Sequence, residues 1–98
     1  MLRIVERPGS NLFRVMSKAM KTGELRTFAL ERGGKRVVHK RYPGYMNWSY
    51  KSGVITGEIR TPRKEGAEWQ FLSALIGMLA RKYAPDVEVV EIEFDASK

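Results

Sequence analysis

Apolar and polar positions alternate along much of the first sixty residues, and turn-forming residues interrupt this alternation about every ten positions. Short alternating segments between such turns are typical of an antiparallel meander. The pattern predicts one hairpin that joins residues 24–32 to 35–42 and a second that joins residues 45–50 to 54–61. Gly33-Gly34 closes the first, since two glycines adopt the positive φ angles of a tight primed turn without steric cost.

Two further segments carry strand patterns at the ends of the chain. Leu2–Val5 predicts a short edge strand, and Val87–Phe94 predicts a final strand with Val90, Ile92 and Phe94 on one face.

Residues 12–22 fit two structures. As a strand from Leu12 to Ser17, the segment places Phe13 and Val15 on one face, and we favour this interpretation. As a helix, the segment begins at a cap of Ser10 or Asn11 and ends at Gly23, with an apolar stripe. That stripe consists of Leu12, Met16, Ala19 and Met20.

Glu65–Tyr83 predicts a long helix. Glu68 lies in its first turn and Arg81 and Lys82 in its last, as the helix dipole favours, and Pro85 prevents continuation. Its apolar stripe is wider than one face, since Phe71 and Met78 extend the set of Trp69, Leu72, Leu75, Ile76, Leu79 and Tyr83.

These elements predict one α+β domain over residues 1–98. Its architecture is an antiparallel meander of four to six strands, packed on one long C-terminal helix and followed by a final strand. The chain has no Cys, which excludes disulfides and thiolate metal sites and favours a reducing, cytoplasmic setting. No signal peptide is apparent at the N-terminus, and no apolar run is long enough to span a membrane.

Charge is divided unevenly along the chain. Residues 1–64 contain 15 Lys and Arg against 4 Glu, a balance of +11, whereas residues 65–98 contain 3 against 7 Asp and Glu, a balance of −4. This asymmetry indicates a basic surface for an anionic partner, although charge that only maintains solubility is the alternative.

The densest basic stretch runs from Arg32 to Tyr42 and is followed closely by further aromatics. Cations interleaved with aromatic rings suit single-stranded nucleic acid, since phosphates meet Lys and Arg while bases stack on rings. The candidate nucleic-acid-binding residues are Arg32, Lys35, Arg36, Lys40, Arg41, Tyr42 and Tyr45.

Catalytic motifs are absent from the sequence. We predict no catalytic residues, no cofactor, no metal site and no small-molecule substrate, because the chain has one His, no Cys and two Asp. Three weak candidates for chemistry remain: His39, the pair Glu91 and Glu93, and the acidic-x-basic triplet Glu58-Ile59-Arg60.

The wide helix offers a different function. Phe71 and Met78, beside a strip of small residues at Ser73 and Gly77, predict a twofold interface for a homodimer. We therefore interpret the chain as a small basic nucleic-acid-binding module. The alternative is a protein-interaction domain that self-associates through the wide helix, and a small ribonuclease is a third hypothesis.

Overall fold

The computed structural model describes residues 1–62 and 66–94, and over these ranges it contains six strands and two α-helices. The strands are β1 Leu2–Glu6, β2 Phe28–Glu31, β3 Arg36–His39, β4 Tyr45–Lys51, β5 Val54–Arg60 and β6 Val87–Ile92. The helices are α1 Leu12–Thr22 and α2 Ala67–Lys82. The predicted α+β class, with an antiparallel sheet, a C-terminal helix and a final strand, is confirmed.

The sheet is antiparallel, and its strand order is β2-β3-β4-β5-β1-β6. The prediction that β1 is an edge strand is wrong, because β1 pairs with β5 on one side and β6 on the other. Its inward residues Leu2 and Ile4 are fully buried for that reason. The edge strands of the sheet are β2 and β6.

The two hairpins differ in their connections. Lys51 pairs with Val54, which leaves Ser52 and Gly53 as a two-residue turn with φ angles of 50° and 81°. The predicted two-residue turn at Gly33-Gly34 is wrong, because Glu31 pairs with Arg36 and the connection therefore spans residues 32–35. This longer connection contains a 3-10 turn at Arg32–Gly34, which presents more backbone and more cations at this end of the sheet.

Residues 12–22 are helical, so our preference for a strand is wrong and the helical alternative is correct. Leu12, Met16, Ala19 and Met20 are the buried residues of α1, whereas Val15 is 42% exposed. Asn11, which adopts a left-handed conformation, precedes the first residue of the helix, and Gly23, with φ 84°, follows the last. The helix prevails because it buries four side chains against the sheet along one stripe.

α2 retains the predicted charges at its ends, with Glu68 in the first turn and Arg81 and Lys82 in the last. The predicted start at Glu65 lies outside the described residues. Neither helix, within those residues, has the length and apolarity needed to cross a bilayer.

Both helices contribute to one core on one face of the sheet. Phe71 meets Phe28 edge-to-face with 6.1 Å between ring centroids, and both side chains are fully buried. The opposite face of the sheet carries mixed polar and apolar side chains, of which none is buried, and we call it the open face. Its residues include Arg36, Tyr45, Asn47, Glu58 and Arg60.

Candidate nucleic-acid interface

The candidate run from Arg32 to Tyr42 does not form one surface. β3 lies in its middle, so Lys35 and Lys40 are separated by roughly 17 Å along the strand at about 3.3 Å per residue. Arg32 and Lys35 lie at one end of the sheet, and Arg41 and Tyr42 lie with Lys40 at the other. The structure therefore divides the predicted site into two.

Arg36 and Tyr45 belong to neither end. Both side chains lie on the open face, where the Arg36 guanidinium carbon sits 3.7 Å from the centre of the Tyr45 ring. Arg36 Nε also donates a 3.3 Å hydrogen bond to Asn47 Oδ1. This face carries both signs of charge, including the ion pair of Arg60 with Glu58 at 3.0 Å, so it is not the basic surface that the run predicted.

The first basic cluster surrounds a cavity of about 440 Å³ between α1 and the β2–β3 connection. Arg14, Lys18 and Lys21 line it from the helix, where spacings of four and three residues place them on one exposed stripe. Gly33 and Gly34 line it from the connection. We call these three helix cations, together with Arg32 and Lys35 of the connection, the helix–turn surface.

Arg14, Lys18 and Lys21 are not among the predicted site residues, because a strand over residues 12–17 would not bring all three onto one stripe. The signal was present, since a helical spacing places all three cations opposite the buried stripe of α1.

The β2–β3 connection is held in place by Trp48. Its Nε1 donates a 2.7 Å hydrogen bond to the carbonyl oxygen of Gly34, and its backbone N–H donates to the carbonyl of Lys35 at 3.1 Å. Arg32 adopts a left-handed φ of 55°, which costs a non-glycine residue free energy. The connection is thus fixed from the core side while its cations face outward.

Aromatic rings border the helix–turn surface. Phe13 lies against the Trp48 ring at a centroid distance of 4.5 Å and stacks on Tyr50 at 5.4 Å with a 23° interplanar angle. Trp48 is buried, whereas Tyr50 is 42% exposed. Tyr50 therefore offers ring surface to solvent beside the cavity that Phe13 lines.

The second cluster lines a cavity of about 460 Å³ at the other end of β2 and β3, which we call the His39 cavity. The backbone N–H of Lys40 donates to the Thr27 carbonyl at 2.8 Å, which continues the ladder and brings the two chain segments together here. The lining residues are Arg26, Thr27, His39, Lys40, Arg41, Tyr42, Ala74 and Arg81.

His39 organises this cavity. Its Nδ1 accepts hydrogen bonds from the backbone N–H groups of Arg41 and Tyr42, both at 3.0 Å, and its ring stacks on Tyr42 at 4.6 Å. Partial burial of the imidazole, followed by the charge of Arg41, lowers the pKa of His39 below its ordinary 6.5. Because Nδ1 is an acceptor, the neutral ring carries its proton on Nε2.

Arg26 and Arg81 are two cations of this cavity that are not among the predicted site residues. The register of the β2–β3 hairpin, which pairs Phe28 with His39, brings Arg26 to this end of the strands. Arg81 comes from the last turn of α2, so only tertiary packing places it beside His39. Within the described residues two ion pairs form, Arg3 with Glu93 and Arg60 with Glu58, and neither involves a cation of the two basic clusters.

The predicted dimer interface is not available as predicted. Phe71 and Met78 are 0% and 2% exposed, because the sheet and the rest of the core cover the wide apolar stripe of α2. Ser73 is exposed and Gly77 is partly exposed, with the Arg81 side chain lying over Gly77. A Cβ at Gly77 would lie 2.9 Å from Nη1 of Arg81, so the guanidinium of Arg81 occupies that side of the helix.

The weak candidates for chemistry are not assembled into a metal centre. The described part of the chain contains no cluster of three or more His, Cys, Asp or Glu side chains arranged to hold a metal ion. Comparison of the chain with family models, with curated proteins and with solved structures finds no match in any of the three.

Proposed function

We propose that this protein binds single-stranded nucleic acid through the helix–turn surface. The observation that carries the proposal is the cavity between α1 and the β2–β3 connection, which three helix cations line and, among the described residues, no carboxylate does. Lys and Arg side chains on such a surface meet phosphate oxygens and release condensed counterions, which supplies affinity independent of sequence.

The charge pattern of α1 supports a partner over mere solubility. Arg14 and Lys18 are four residues apart, and like charges at this spacing destabilise a helix by about 0.2–0.5 kcal/mol. The helix contains no Asp or Glu that would offset this repulsion, whereas surfaces that serve solubility intersperse both signs. A bound phosphate chain would provide the missing negative charge.

The aromatic border favours a single strand over a duplex. Unpaired bases can stack on an exposed ring, and each such stack contributes about 1–3 kcal/mol to binding. Tyr50 is 42% exposed and stacks on Phe13, which lines the same cavity as the cations of α1. The bases of a duplex are already stacked, so a duplex would use only the phosphate contacts.

The proposal is tested by titrating the protein into fluorescently labelled 12-residue oligonucleotides at low and moderate salt. We expect single-stranded RNA or DNA to bind more tightly than the duplex of the same length, and the affinity to fall steeply as salt rises. Tyr50→Ala should remove the preference for single strands, whereas Tyr45→Ala, on the open face, should not. Absence of binding at low salt would refute the function, and tighter binding of the duplex would refute the single-stranded partner.

A further inference from the structure

We propose that the His39 cavity binds a phosphomonoester, either as the terminal phosphate of a nucleic-acid strand or as a free mononucleotide. Four cations line this cavity, and they come from three separate segments of the chain: Arg26 before β2, Lys40 and Arg41 after β3, and Arg81 at the end of α2. The strand-end form rests on the proposed nucleic-acid function, whereas the mononucleotide form stands without it.

The charge of the cavity matches a monoester better than an internal phosphodiester. A monoester carries close to two negative charges near neutral pH and presents three acceptor oxygens, whereas a diester carries one charge and has two free oxygens. Arg guanidinium groups bind such oxygens in pairs through parallel N–H donors. In the part of the chain that the structure describes, no carboxylate lines the cavity to compete for these donors.

The cavity is large enough to hold more than a phosphate group. Its volume of about 460 Å³ lies within the range of roughly 300–1,000 Å³ that small-molecule sites occupy. Tyr42 contributes a ring to the lining, and that ring is held in place by stacking on His39. A phosphate among the cations, with the attached nucleoside along Tyr42, uses both parts of the cavity.

The turn that carries two of the cations is preorganised. The two hydrogen bonds to His39 Nδ1 fold the chain after β3, so that Arg41 and Tyr42 border the cavity instead of continuing the strand. A site whose donors are already positioned binds its ligand without the cost of ordering a loop.

Gly77 positions the fourth cation. In α2 the side chain of Arg81 lies back over Gly77, one turn earlier, and its guanidinium occupies the space that a Cβ there would need. From this position Arg81 lines the cavity together with Ala74. Gly77→Ala should therefore shift the guanidinium of Arg81 only slightly, because this flexible side chain can move away from the added methyl group.

The experiment compares three labelled 12-residue single strands that differ only at their ends: a 5′-phosphate, a 3′-phosphate, or hydroxyl groups at both. We expect the wild-type protein to bind one of the phosphorylated strands about tenfold more tightly than the hydroxyl strand, the effect of one charge-assisted hydrogen bond. Arg81→Gln should abolish this preference and leave the affinity for the hydroxyl strand unchanged. A wild-type protein that binds all three strands equally overturns the strand-end form.

If no oligonucleotide binds, the nucleic-acid function is refuted but the monoester site is not. A second measurement then tests the His39 cavity by itself. Adenosine monophosphate is titrated into isotope-labelled protein, and the amide resonances of Arg41 and Tyr42 are followed by NMR. Saturable shifts that Arg81→Gln weakens support the monoester site, and adenosine without phosphate serves as the matched ligand control. Absence of shifts at millimolar nucleotide together with no end preference overturns the proposal, as does stronger binding of a phosphoserine peptide than of the nucleotide.

Discussion

Replacing Lys18 and Lys21 together by Gln removes two of the five cations of the helix–turn surface. If each cation meets one phosphate of a single strand, the slope of log affinity against log salt is about −3.5, and affinity falls about 130-fold between roughly 50 and 200 mM salt. With three contacts left, the slope becomes about −2.1 and the fall about 18-fold. The measured quantity is the dissociation constant from fluorescence anisotropy at several salt concentrations.

The double variant should fold as the wild type does. Both side chains are exposed, Gln is a good helix former, and exposed substitutions of this kind change the free energy of unfolding by about 0.5 kcal/mol or less. Arg36→Gln combined with Arg60→Gln is the matched control, since it removes two cations from the open face and lowers the net charge equally. Equal salt slopes in the two double variants would refute the reasoning, because binding would then depend on total charge instead of on contacts at α1.

Three further predictions concern the scaffold of the two sites. Trp48→Phe removes the indole donor to the Gly34 carbonyl and should lower the free energy of unfolding by about 1–2 kcal/mol in urea titrations. It should also weaken the binding of single strands. Unchanged stability would mean that water replaces the lost hydrogen bond. Because the folded state lowers the pKa of His39, its contribution to stability is present above pH 6.5 and is lost as pH falls through the folded pKa. His39→Asn keeps an acceptor without titrating, so its unfolding free energy should fall less between pH 7 and about 5, and parallel pH curves would contradict this. Phe71→Ala should lower the free energy of unfolding by about 3–5 kcal/mol, as for a core residue. Trp69→Ala, at a side chain that is 58% exposed, should lower it far less. Similar losses for the two variants, measured by calorimetry, would show that the core is wrongly placed.

Secondary structure could be predicted where the apolar residues clearly followed either the two-residue period of a strand or the 3.6-residue period of a helix. α2 and the β4–β5 hairpin were predicted for this reason, although the structure extends β4 by one residue to Lys51 and so shortens the turn to Ser52-Gly53. Residues 12–22 are apolar at both spacings, so the choice between strand and helix depends on the surface that the segment covers. That surface is formed by strands far along the chain, which a local pattern does not contain.

The place of β1 in the strand order could not be predicted from the sequence for the same reason. Its central place in the sheet depends on pairing with β6, which follows it by more than eighty residues, as in the pairing of Leu2 with Ile92. Alternation of apolar residues establishes that a segment is a strand and which of its residues point inward. It does not establish which strands lie on either side, and the edge strands of the sheet therefore could not be assigned from sequence.

The candidate site was predicted in composition but not in arrangement. A run of eleven residues containing five cations looks like one patch in sequence, yet a strand of four residues in its middle carries its ends apart. Alternation then turns Arg36 toward the open face, where Tyr45 and Asn47 hold it. The other cations of the two clusters come from α1, from Arg26 and from the end of α2. The hairpin register places Arg26, whereas only packing places the cations of the two helices.

The arrangement of the sheet also explains how a chain with both signs of charge can present separate basic sites. β2 and β3, at one edge, lie beside both basic clusters, whereas β6, at the other edge, carries Glu88 and Glu91 and no cation. Five strand spacings of about 4.8 Å separate these edges by roughly 24 Å. Exposed charges interact weakly beyond a Debye length of about 8 Å at physiological salt, so the acidic edge does not neutralise the cations of the basic edge. Instead it repels a polyanion that approaches from its side, so the proposed function requires a phosphate chain to approach from the β2 edge.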